Sequence, residues 1–106
     1  MFMVCGEALM DVFSAGDSAE GVTLDARVGG SPFNVARGLA RLGCETGFLS
    51  ALSTDFLGER LMTALRAEGV DTRCVARLPA PTTLSLVGLD AHGAPAYAFH
   101  GQGCAD

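Results

Sequence analysis

Apolar residues fill nearly every position from Met1 to Phe13, broken only by Gly6, Glu7 and Asp11. That run predicts one strand buried on both faces, with a carboxylate at its exit. Ser14 to Gly21 is small, polar and acidic, which predicts a turn, and Val22 to Val28 alternates weakly, as a short half-exposed strand would. At Gly29-Gly30-Ser31-Pro32 the period changes. Ser31 can cap a helix, Pro32 suits its first position, and Val35, Leu39 and Leu42 recur at helical spacing until Gly43. Thr46 to Leu52 then predicts a strand, and Thr54 or Asp55 predicts the cap of a helix with the stripe Leu57, Leu61 and Leu65, closed by Gly69. Two successive strand-helix units imply a parallel sheet with helical crossovers.

Beyond Pro79 and Pro81 the texture becomes strand-like again, from Thr83 to Leu89 and from Ala96 to His100, with Asp90-Ala91-His92-Gly93 as the turn between them. This is a hairpin pattern, and its place after the parallel units predicts a separate antiparallel layer. The fold class expected is therefore α/β, and 106 residues make one small or incomplete unit more natural than two domains.

Charge and cysteine content narrow the function classes. Seven basic against 12 acidic residues give a net charge of −5, a field that disfavours nucleic-acid binding. All seven basic residues are Arg, and without Lys there is no Walker-type phosphate loop. No Gly-x-Gly-x-x-Gly follows the first strand, which removes a dinucleotide fingerprint. Cys5, Cys44, Cys74 and Cys104 show no paired spacing and read as ordinary reduced thiols. The first basic residue is Arg27 and no apolar run approaches a membrane span, so neither leader nor membrane is expected and the cytoplasm is the natural compartment.

Few residues invite chemistry. Asp11 at the end of its strand can accept from two hydroxyls or can bond backbone amides. Gly29 and Gly30 before a helix offer close backbone approach and free N–H donors, or simply a turn. Asn34 is the only Asn of the chain and can read a hydroxyl as donor or acceptor, or supplement the helix cap. Asp55 reads as a cap, Glu7 as a structural charge seeking a partner, and His92 and His100 as locally bonded or solvated. Tyr97 and Phe99 share one strand face and could cover a small ligand or pack on another sheet.

In combination, Gly6-Glu7-Ala8-Leu9-Met10-Asp11, Gly29-Gly30-Ser31-Pro32-Phe33-Asn34-Val35-Ala36, Ser53-Thr54-Asp55-Phe56-Leu57-Gly58 and Gly69-Val70-Asp71 resemble the amino-terminal third of a ribokinase-like (PfkB-type) carbohydrate kinase. The resemblance spans essentially the whole chain and is strongest to fructokinases, through the Glu7-to-Asp11 segment and the ending Tyr97-Ala98-Phe99-His100 with Cys104-Ala105-Asp106.

It implies a three-layer α/β/α core with a small β-sheet lid, whose elements here would be about residues 12–28 and 83–100. It implies that Asp11, Gly30 and Asn34 hold sugar hydroxyls, that Gly29 shapes the approach, and that Phe99 is a lid contact. The family's catalytic Asp belongs to a Gly-Ala-Gly-Asp motif that this sequence does not contain, so the sites for ATP and Mg²⁺ are expected outside it. The implied activity is ATP-dependent phosphorylation of a sugar hydroxyl, fructokinase-like, with a 2-keto-3-deoxygluconate or other sugar kinase, or a non-catalytic sugar-binding remnant, as alternatives. An unphosphorylated sugar fits the lack of lysines better than a sugar phosphate, although Arg27, Arg73 and Arg77 are present. A hairpin apolar on both faces adds the expectation of a homodimer joined through the lids.

Overall fold

Two sheets share one core. The computed structural model describes residues 1–89 and 92–105. The first sheet is parallel, of order β1-β4-β5, from β1 (Phe2–Cys5), β4 (Thr46–Ser53) and β5 (Val75–Leu78). The second has four strands in the order β3-β2-β6-β7, from β2 (Leu9–Asp17), β3 (Val22–Gly29), β6 (Leu84–Leu89) and β7 (Pro95–His100). Helices α1 (Ser31–Arg41) and α2 (Phe56–Ala67) lie between the strands in sequence. Phe33 and Ala36 of α1 and Leu61, Met62 and Leu65 of α2 join Phe48, Leu52, Met10 and Val12 in a single buried cluster. Both helices therefore cover one face of the parallel sheet. The other face, with Met3 and Leu49 exposed, carries no helix among the described residues.

The expected single strand from Met1 to Phe13 is instead two strands in different sheets. The break falls at Gly6, whose φ of 147° takes the chain out of the first sheet and whose missing side chain leaves room for the Pro32 ring. Asp11 consequently stands not at the carboxyl end of a core strand but third in β2 of the second sheet. The turn expected at Ser14 to Gly21 is shorter: β2 continues to Asp17 through a bulge between Ser14 and Asp17, and only the Ser18–Gly21 turn, closed by the Ser18 N–H on the Gly21 carbonyl at 2.8 Å, reverses the chain. The strand β5 was not anticipated, because Val-Ala-Arg-Leu is too short to show a period.

Helix α1 keeps its expected span but not its expected cap or face. Gly30, with φ 106°, occupies the cap position and no side chain caps the helix, so Ser31 is the first helical residue. The stripe Val35, Leu39 and Leu42 points away from the core, with Leu42 81% exposed, while Phe33 and Ala36 are fully buried. The Pro32 ring lies against Gly6 at the start of the helix. In α2, by contrast, Asp55 is the cap as expected and Leu61 and Leu65 lie in the core.

The hairpin β6–β7 forms as expected, but its layer is mixed rather than antiparallel. Having crossed over through α2 and β5, the chain brings β6 in parallel to β2, from Met10 beside Leu84 to Phe13 beside Val87. Of the expected turn residues, Asp90 and Ala91 lie outside the described residues. No described helix is long and apolar enough to cross a membrane, and the four cysteines are free.

Candidate functional site

The register of the second sheet builds the site's floor. Asp11 of β2 is paired with Ser85 of β6, and Ser85 with Phe99 of β7, so the three side chains stand in one cross-strand row on one face. The start of α1 faces that row. Together they enclose an open cavity of about 630 Å³ lined by Glu7, Leu9, Asp11, Gly30, Ser31, Asn34, Val35, Ser85 and Phe99.

Four of the five residues singled out from the sequence thus meet in one place: Asp11, Gly30, Asn34 and Phe99. Gly29 does not line the cavity. It is buried beneath it, and a methyl group at Gly29 would overlap the Asp11 carboxylate, so its lack of a side chain is what lets that carboxylate lie flat on β3. The Asp11 carboxylate and the Asn34 amide make no side-chain bond to the described protein, and the alternative readings of both as local backbone partners fall away. The Asn34 N–H donates to the Gly30 carbonyl at 2.9 Å.

Glu7, Leu9, Ser31, Val35 and Ser85 escaped the sequence reading. Glu7, expected within a strand with a partner or at its edge, lies in the link between the sheets and is exposed. Ser85 could have been found, because the alternation of the hairpin already put it on the face of Phe99, whereas its meeting with Asp11 depends on a strand pairing no local pattern announces.

The lining offers every partner a polyol needs. Asp11 and Glu7 are acceptors, the free N–H groups of the first turn of α1 are donors, and Ser31, Asn34 and Ser85 serve in both roles. Leu9, Val35 and Phe99 supply apolar wall for the C–H faces of a ring. Among the described residues no cationic side chain lines the cavity. Arg27 holds Asp25 at 3.0 Å, Arg73 holds Asp71 at 2.6 Å, and Arg77 is tied to Glu59 and to the Ser53 carbonyl.

Comparison with known proteins decides the family. The sequence pattern of the pfkB family carbohydrate kinases matches residues 1–103. The chain belongs to that family. A fructokinase from Rhizobium leguminosarum bv. trifolii is 36% identical over 105 residues, covering 99% of this chain and 32% of that protein. A 5-dehydro-2-deoxygluconokinase from Geobacillus thermodenitrificans is 45% identical over 53 residues, half of this chain and 16% of that protein. The crystal structure of fructokinase from Xylella fastidiosa superposes with a TM-score of 0.92 at 33% identity, covering 99% of this chain and 33% of that one, and the same enzyme has been solved with bound ATP.

This pfkB-family chain therefore spans about a third of the length of those full-coverage relatives. Its two sheets and two helices are the amino-terminal part of the ribokinase-like α/β fold. The described residues contain no group of three His, Cys, Asp or Glu side chains placed to hold a metal ion.

Proposed function

We propose that the complete protein transfers a phosphoryl group from ATP, with Mg²⁺, to a hydroxyl of a fructose-like sugar in the cytoplasm, and that this chain supplies the sugar-holding part. The observation that carries the reading is the convergence of Asp11, Gly30, Asn34 and Phe99 on one cavity rich in acceptors and donors and bare of cations. Asp11 and Asn34 hold sugar hydroxyls, the start of α1 donates to sugar oxygens, and the second sheet acts as the lid, with Phe99 as its contact. An acidic lining does not fit a triphosphate, so ATP and Mg²⁺ are assigned to the part of the fold outside this chain.

The test is ATP consumption by the complete protein with fructose, against other neutral sugars and sugar acids. Turnover on fructose is expected, and none from the 106-residue chain alone. Sugar binding without turnover by the complete protein would favour the non-catalytic sugar-binding alternative instead. Gly29→Ala should raise the KM for fructose about tenfold, because the added methyl displaces the Asp11 carboxylate and costs about one charged hydrogen bond. An unchanged KM would detach Asp11 from the sugar.

The lid is also proposed as the joint of a homodimer. Along its outer part Val22 and Leu24 are exposed on one face and Phe13 and Tyr97 on the other, more apolar surface than a thin sheet keeps in water. Leu86 packs on the core cluster and is a poor probe, whereas Leu24 is 54% exposed and clear of it. Light scattering should find a dimer at micromolar concentration that Leu24→Asp dissociates; a monomeric wild type rejects the dimer.

A further inference from the structure

Glu7 carries a charge that the fold does not use. It is exposed in the link between β1 and β2, and its side chain has no hydrogen bond or ion pair with the described residues. It nevertheless lines two neighbouring cavities: the one shared with Asp11 and Asn34, and a second of about 510 Å³ formed with Gly6, Leu49, Ser50 and Ala51. In the second, the Ser50 hydroxyl is shielded from solvent and has no hydrogen-bond partner. Glu7 thus lines both hollows, and a second acidic residue, Asp11, lines the first of them.

We infer that Glu7 is a specificity-determining residue of the sugar site, a charge filter that admits uncharged polyols and turns away sugars bearing a carboxylate or phosphate. The inference rests on the kinase reading above. Its physical basis is that a polyol loses nothing by facing two acidic residues, since its hydroxyls donate to them, whereas an anion in the open cavity meets like charge. A neighbouring cation would cancel the effect, but among the described residues none lines either cavity. Arg27 and Arg60 line a different one, and Arg37 and Arg41 are turned to Glu68. Discrimination of this kind comes from a repulsive element set against the wrong ligand rather than from tighter contacts to the right one.

A purely structural role makes a different forecast. Helix α1 has no acidic residue in its first turn, and the Glu7 carbonyl lies 3.1 Å from where a Gly30 side chain would begin, so Glu7 could serve only to offset the positive helix end. That role would move stability and leave substrate choice alone.

The experiment is steady-state kinetics of the complete protein with ATP, comparing fructose with 5-dehydro-2-deoxygluconate, an acid of similar size, alongside thermal melting. Wild type should favour fructose. Glu7→Gln should narrow the kcat/KM ratio of fructose over the acid by about tenfold, the order expected for removing one like charge near a partly solvated site, and Glu7→Arg should narrow it further. Wild type alone gives a second reading, because added salt screens the charge and should raise relative activity on the acid even if a variant fails to fold. A ratio unmoved by both folded variants overturns the inference, and so does a wild type that prefers the acid or a ratio indifferent to salt. A lower melting temperature with the ratio unchanged assigns Glu7 to the helix end. Absence of turnover on either sugar would fault the kinase reading instead, and equilibrium binding of the two sugars to wild type and Glu7→Gln would then test the filter by itself.

Discussion

Replacing Asp11 by Ala in the complete protein is expected to lower kcat/KM for fructose by about 2–5 kcal/mol, or about thirtyfold to a few thousandfold, while leaving the melting temperature nearly unchanged. The two halves of this expectation have one origin. The Asp11 carboxylate has no side-chain partner within the described protein, so the fold loses no hydrogen bond with it. It lies in the row with Ser85 and Phe99 beneath the start of α1, where a bound sugar would give it two hydroxyl donors at once. Hydrogen bonds to a charged acceptor are the strong kind, and their loss leaves sugar hydroxyls facing a bare cavity. Because the proposed contacts would already form in the ground state, the damage should fall chiefly on KM. Asp11→Asn, which keeps one acceptor and surrenders the charge, should fall between the two. Unchanged kinetics in a folded Asp11→Ala protein would remove Asp11 from the sugar site.

The features legible in the sequence were those fixed by short-range chemistry. Asp55 followed by Leu57, Leu61 and Leu65 allows one helix with one buried face, and α2 is that helix. Helix α1 was harder, because Val35-Leu39-Leu42 and Phe33-Ala36-Ala40 both have helical spacing. Long-range packing puts the second set in the core, with Phe33 and Ala36 in the buried cluster and Pro32 against Gly6, 26 residues away in sequence.

The run from Met1 to Phe13 hid its break for a similar reason: hydrophobicity is continuous across Gly6, and the two strands differ in which sheet they join rather than in composition. The candidate site divides along the same line. Asp11, Gly29, Gly30, Asn34 and Phe99 stand out by residue type and place in the sequence, and the family resemblance supplies the roles expected of them. Ser85 and Glu7 needed the strand register and the cavity, which are long-range facts.

The largest stability effect is expected at Asp55. Its carboxylate caps α2 through the Gly58 N–H at 2.8 Å and reaches across to Thr82, accepting from its N–H at 2.9 Å and its hydroxyl at 2.6 Å. Thr82 is buried, and the next residue, Thr83, accepts the Met10 N–H at the root of the second sheet. Asp55 therefore fastens the start of α2 to the entry of β6, and Asp55→Ala would leave both a helix start and a buried Thr82 N–H unsatisfied. The expected loss is about 2–4 kcal/mol in urea unfolding of the complete protein.

The same contacts give the loss a pH dependence. Burial alone would raise the Asp55 pKa, but the bonds from the Thr82 hydroxyl and from the Gly58 and Thr82 amides outweigh it and hold the carboxyl below its usual value. A group depressed in the folded state stabilises above its unfolded pKa of about 4, and that stabilisation fades as pH falls through the folded value, where both states bind the proton. The gap between wild type and Asp55→Ala should thus be full near neutrality and shrink steadily below about pH 4. Glu68 beside Arg41 and Asp71 beside Arg73 are depressed as well, but they are present in both proteins and cancel from the difference. A gap that stays constant down to acid unfolding would mean that the Asp55 charge contributes nothing and that the cap alone accounts for the loss.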